Sequence, residues 1–150
     1  MTKDVLVSIN GLQIARQSEE SEPIEVIMAG DYYKKNNKHY VIYDEITEGF
    51  DGVTKNIIKL QDNCMDITKR GVTNVHMVFE KGKKNVTCYE TPFGSLMLGI
   101  NAKKIQIKEE ENDIFVDVDY ALELNYEHLA DCKIKVAIWS KENGDFHITS

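Results

Sequence analysis

The chain reads as an all-β, single-domain antiparallel barrel spanning residues 1–150, with about eight to ten strands. Three observations carry this. Apolar residues recur with period two along most of the sequence, turn-forming residues interrupt them at short intervals, and so many strands must close or stack to cover their edges and apolar face. Gly30 and Gly99 fall inside strand patterns, where a sheet bends sharply, and one strand is unusually long. Both features favour a barrel over a sandwich.

Strand patterns begin at Val5 to Ile14 and Ile24 to Tyr33, separated by Glu19-Glu20-Ser21-Glu22 before Pro23, an acidic run expected in an exposed loop. His39 to Ile46, Thr54 to Leu60 and Met65 to Thr68 follow, with turns at Asn36-Asn37, Asp51-Gly52, Gln61-Asp62-Asn63 and Arg70-Gly71. Val75, Met77 and Phe79 then alternate with His76, Val78 and Glu80, and Lys81-Gly82 leads to Val86 to Thr91. In Thr91-Pro92-Phe93-Gly94 the fixed φ of Pro92 suits the second turn position, and Gly94 supplies a positive φ where the next strand, Ser95 to Ile107, begins. Lys108 to Asn112 forms a hairpin tip. In the longest strand Ile114, Val116, Val118, Tyr120, Leu122 and Leu124 alternate with a wet face carrying Asp117, Asp119 and Glu123. Alternation lapses from Tyr126 to Asp131, where one helical turn is expected, and returns at Ile134, Val136 and Ile138 before an Asn143-Gly144 turn.

A 42% hydrophobic and 29% charged composition is that of a folded chain with a core, which excludes disorder and low complexity. Lys plus Arg is 18 and Asp plus Glu is 25, and the resulting charge of −7 disfavours phosphate backbones and anionic membrane. Apolar runs are as short as Leu96-Met97-Leu98, so no membrane-spanning helix is expected. Ser8, Asn10 and Gly11 interrupt the first apolar segment, which argues against a signal peptide and for a cytoplasmic protein. Cys64, Cys88 and Cys132 are odd in number and widely spaced, and read as three buried thiols.

The chemistry-bearing residues do not form a standard motif. His39, His76, His128 and His147 lack metal-ligand spacing, so neither metal nor cofactor is expected. His76 belongs to a polar strand face, and His39, beside Lys38, reads as an exposed hairpin residue. Ser95 lacks the Gly-x-Ser-x-Gly setting of a hydrolase nucleophile. Ile67-Thr68-Lys69-Arg70-Gly71 puts the Arg70 guanidinium at a strand end, where a barrel mouth can recruit a carboxylate or phosphate.

Tyr43-Asp44-Glu45, Ile67-Thr68-Lys69-Arg70-Gly71, Met77-Val78-Phe79-Glu80-Lys81-Gly82, Tyr89-Glu90-Thr91-Pro92-Phe93-Gly94 and Asp119-Tyr120-Ala121-Leu122-Glu123-Leu124-Asn125 occur in this order. Together they resemble the YwiB-like family of uncharacterised bacterial proteins. The resemblance spans nearly the whole chain and implies a lipocalin-like, or calycin-like, β-barrel in a bacterial cytoplasm, without an activity or ligand to carry over.

The leading functional expectation is a non-enzymatic barrel whose mouth holds a small amphipathic or anionic ligand through Arg70, Glu90, Tyr89, Tyr120 and Tyr43. One alternative is an enzyme using Arg70 with Glu80 or Glu90 as clamp and base. Another is a protein or RNA interaction module built on Lys34, Lys35, Lys83 and Lys84 at hairpin tips, with Tyr32, Tyr33 and Tyr40 nearby. Oligomeric state is left open.

Overall fold

Ten strands follow one another in the computed structural model, which describes residues 3–11, 25–46 and 49–141. They are β1 (Asp4–Asn10), β2 (Glu25–Lys35), β3 (Lys38–Ile46), β4 (Val53–Gln61), β5 (Cys64–Arg70), β6 (Val75–Glu80), β7 (Lys84–Thr91), β8 (Gly94–Glu109), β9 (Asp113–Leu124) and β10 (Glu127–Ser140). The acidic run at residues 19–22, the turn at residues 143–144 and His147 lie outside the described residues.

One antiparallel sheet has the order β6-β5-β4-β3-β2-β1-β10-β9-β8-β7 and curls into a nearly closed barrel. Sequence neighbours pair antiparallel except β6 and β7, which are the two edges, and β1 pairs with β10 from Val5↔Ser140 to Asn10↔Lys135. The two edges meet at a clasp: Asn74, just before β6, and Glu90 of β7 exchange N–H···O bonds of 2.9 Å, and beyond β6 the Gly82 N–H donates to the Ala102 carbonyl of β8 at 3.1 Å. Between these points the Asn85 side-chain amide donates to the Val78 carbonyl at 3.4 Å. A long sheet twists, and the twist brings its edges together, where few main-chain bonds suffice to cover them.

Alternation sends one face of each strand inward. Val41, Ile58, Leu60, Met65, Ile67, Met77, Phe79, Leu98, Ile114, Ile134 and Ile138 are fully buried and fill the interior. Removing this apolar surface from water is the principal force that closes the sheet. At Gly30, β2 changes partner: its pairing with β1 ends at Asp4↔Asp31, where its pairing with β3 begins at Asp31↔Ile42. A Cβ at Gly30 would approach the Ile42 carbonyl oxygen to 2.9 Å, so the bend needs the glycine predicted there. Gly94, at φ 131°, likewise starts β8 after the Pro92-Phe93 turn.

Residues 126–131 do not form a helical turn. Asn125 and Tyr126, at φ 51° and 72°, make a tight two-residue connection, and β10 starts at Glu127. Its register shifts between His128 and Ala130, so Leu129 is a bulge that flips the parity of the strand and hides the period-two pattern. Tyr126 is 71% exposed, and its left-handed backbone carries strain without compensating burial. Tyr126→Gly, which gives the favoured Asn-Gly turn, is expected to stabilise by about 1 kcal/mol. Thermal denaturation should show a rise of roughly 2–4 °C.

Candidate ligand sites at the two barrel mouths

The turns after β3, β5 and β7 define one mouth, here called upper; those after β2, β4 and β8 define the lower mouth. At the upper mouth the inward positions are Tyr43 and Glu45 on β3, Thr54 and Asn56 on β4, Lys69 on β5 and Tyr89 on β7. The Lys69 ammonium donates to Glu45 Oε1 at 3.0 Å and to Asn56 Oδ1 at 2.8 Å. Asn56, fully buried, donates from Nδ2 to Glu45 Oε1 at 3.1 Å and to the Thr54 carbonyl at 3.4 Å. A charge is thereby held within an otherwise apolar barrel with its partners in place.

Burial opposes ionisation of Glu45, but the Lys69 charge and the hydrogen bonds from Lys69 and Asn56 outweigh it and hold the carboxyl below its ordinary value. Burial, and next the Glu45 charge, push the Tyr43 and Tyr89 phenols above theirs, so both stay protonated donors. At the same mouth Phe50 and Phe93, from the connections after β3 and β7, meet edge to face, centroids 5.9 Å apart. Phe93 is 87% exposed.

The pleat separates the residues singled out from sequence. Tyr43 and Tyr89 point inward around Glu45, whereas Arg70 and Glu90 lie on the outer face of the barrel, one position from Lys69 and Tyr89. Neither Arg70 nor Glu90 makes a side-chain hydrogen bond or ion pair with another described residue, and the Glu90 backbone instead forms the clasp. Tyr120 lies deeper, 3% exposed, edge to face with Phe79 at 5.1 Å and directly across the strand pair from Cys132. Glu80 pairs with Cys64 at the far end of the β5–β6 hairpin, on the order of 20 Å from Arg70 by strand rise, and its carboxylate holds Lys83 at 3.3 Å. Lys69 and Glu45 were passed over, although Met65-Ile67-Lys69 and Val41-Tyr43-Glu45 carry the parity that places them inside.

The lower mouth contains a residue that the sequence reading placed in solvent. His39 is 6% exposed, because it shares the inward parity of Val41 and Tyr43. Its Nδ1 lies 2.8 Å from Tyr32 Oη, and its Nε2 lies 3.2 Å from Glu109 Oε1. The proton arrangement that satisfies all three groups has the Tyr32 hydroxyl donating to Nδ1 and Nε2–H donating to Glu109. Lys34 approaches the other Glu109 oxygen at 4.0 Å. Burial, and next the Glu109 charge, raise the Tyr32 pKa. The chain borders a cleft of about 680 Å³, with Leu60 and Ile107 among its walls.

His76 is solvent-facing, as expected, and bonds Asp66 at 3.1 Å. The three cysteines are unpaired, but only Cys64 is buried; Cys88 faces outward on β7 and is exposed, and Cys132 is half-buried. Burial, followed by the nearby Asp66 charge, pushes the Cys64 thiol up to about 11. Tyr33 and Tyr40 stack on each other at 4.8 Å as a cross-strand pair on the outer face. Among the described residues, no cluster of three or more His, Cys, Asp or Glu side chains has the arrangement of a metal site. No helix there is long and apolar enough to cross a membrane.

With this geometry in hand, comparison with known proteins gives a consistent result. The family described as a domain of unknown function, DUF1934, matches residues 7–136. The chain is 28% identical over 131 residues to the "Uncharacterized beta-barrel protein YwiB" of Bacillus subtilis (strain 168), covering 86% of this chain and 91% of that protein. The crystal structure of the ywiB protein from Bacillus subtilis superposes with a TM-score of 0.74 at 22% identity and covers 92% of both chains, which supports the barrel fold. The chain belongs to the DUF1934 family of YwiB-like β-barrel proteins.

Proposed function

We propose that this protein is a non-enzymatic binding barrel that holds a small amphipathic anion at its upper mouth. The observation that supports this reading is the Lys69 ammonium, inside the barrel wall and 14% exposed, at the same mouth whose turns carry an exposed aromatic pair. An ammonium has three N–H donors, and Glu45 and Asn56 take two. The third is left for a carboxylate or sulfonate entering from the mouth, with Tyr89 as a neutral donor beside it. Phe93 and Phe50 then cover the apolar part of the ligand, and burying an exposed phenyl ring contributes about 1–2 kcal/mol. Arg70, on the outer rim, adds a long-range attraction for the anion. The free thiols on the chain suit a reducing bacterial cytoplasm as its setting.

The fluorescent amphipathic anion 8-anilinonaphthalene-1-sulfonate tests the reading. One equivalent is expected to bind the folded protein with a blue-shifted emission, and Lys69→Met is expected to weaken it about tenfold or more. Phe93→Ala, exposed and therefore neutral for folding, should weaken it about threefold. Thermal melts of each variant verify that folded protein is being titrated. Unchanged affinity in both variants would remove the proposal.

A further inference from the structure

We propose that the lower mouth is a second binding site, for an uncharged polyhydroxylated molecule of monosaccharide size. The cleft, about 680 Å³, has the dimensions of small-molecule sites. Ile107 is its half-buried apolar wall, an aliphatic surface of the kind that packs against the C–H face of a sugar ring, while Leu60 beside the cleft is fully buried. Its fixed charges cancel: Lys34 and Lys38 stand against Asp62 and Glu109, and Glu109 is already engaged by His39 and Lys34. Such a site gives a net-charged ligand no electrostatic advantage.

What remains unspent is amide. The side chains of Asn36, Asn37 and Asn63 line the cleft and make no hydrogen bond with another described residue. Each carries a donor and an acceptor, the same pairing that a hydroxyl presents, whereas an anion would use only the donors. All three sit in tight turns with left-handed backbones, at φ 53°, 65° and 57°, so the backbone that presents them is set before a ligand arrives. The left-handed conformation alone accounts for Asn or Gly at these positions, and Gly adopts it with less strain. The carboxamides are therefore the part of these residues that the turns do not require. The Tyr32–His39–Glu109 chain ties β2, β3 and β8 together behind them and stiffens the wall.

The distinction between turn and ligand roles supplies the test. In Asn37→Gly/Asn63→Gly the backbone preference is kept and both amides are deleted, so the melting temperature is expected to hold or rise. The ¹⁵N-labelled wild-type protein is titrated with glucose, galactose and ribose, and separately with sodium acetate and sodium phosphate at matched ionic strength. At least one sugar should shift the amide resonances of Leu60, Asn63 and Ile107 with a Kd of about 1 mM, and the double variant should weaken it about fivefold or more. Three results would overturn the proposal: no sugar shifting these resonances, undiminished affinity in the double variant, or acetate or phosphate shifting them while the sugars do not. The site lies at the opposite end of the barrel from Lys69, so its failure and that of the upper-mouth reading are read separately.

Discussion

Phe79→Ala should lower stability by about 3–5 kcal/mol, the largest loss expected from a single truncation in this barrel. Phe79 is fully buried on β6 and meets Tyr120 edge to face at 5.1 Å, so it links an edge strand to β9 across the interior. Truncation removes the apolar transfer term, leaves a cavity beneath the seam and deletes the aromatic contact. Few main-chain bonds hold β6 to β7, so side-chain packing beneath the seam carries more of its closure, while the full ladders of β6 to β5 and β7 to β8 limit collapse into the cavity. The midpoint of thermal unfolding is expected to fall on the order of 10 °C. Phe79→Leu, which keeps most of the volume, should recover much of the loss. A Phe79→Ala protein that melts within about 2 °C of the wild type would show that the seam does not depend on this ring.

Asn56→Ala is expected to cost about 2–3 kcal/mol for a different reason. Asn56 is the hub of the upper-mouth cluster: its amide nitrogen serves Glu45 and the Thr54 carbonyl, and its oxygen accepts from Lys69. Removing it leaves a largely buried ammonium with one partner and a carbonyl with none from this side chain. The loss should also depend on pH. Glu45 has a folded pKa below its ordinary 4.5, so its ionised form contributes stability that is present above that value and disappears as pH falls through the lower folded value. In the variant the carboxyl loses one of the bonds that hold it down, and its folded pKa moves back towards normal. Denaturant unfolding at neutral pH and at about pH 3 should therefore show the gap between wild type and variant narrowing with acid. A gap that widens on acidification would mean that Asn56 does not support an ionised Glu45.

The strands were legible because water on one side of a sheet forces alternation, and the alternation survives wherever pairing is regular. It fails at Leu129, where a bulge adds one residue and reverses parity, so Tyr126 to Asp131 resembles a segment without strand character. The upper-mouth region was legible, but not its working residues. Arg70 drew attention through the bidentate chemistry of guanidinium, while parity with Met65 and Ile67 selects Lys69. On β3 both faces carry apolar residues, Val41 and Tyr43 on one and Tyr40 and Ile42 on the other, which conceals that His39 and Glu45 belong to the inward set. The clasp at Asn74 and Glu90 was illegible for a simpler reason: its bonds are made by main-chain atoms, which every residue possesses.

The place of the seam has a consequence for how the chain reaches its native state. Every hairpin from β1 to β6 and from β7 to β10 can form from residues close in sequence, so two separate meanders can assemble early, each without waiting for the other. Joining them requires β1 to find β10, with Val5 opposite Ser140. That encounter carries the largest loop-closure entropy in the fold. Once it is made, the two unpaired edges are delivered to one another as a near-intramolecular pair, and the Asn74–Glu90 bridge forms with little further loss of chain freedom. The edges that would otherwise recruit strands from another chain are thus left unprotected until the last step, and the speed of β1–β10 docking governs how long that exposure lasts.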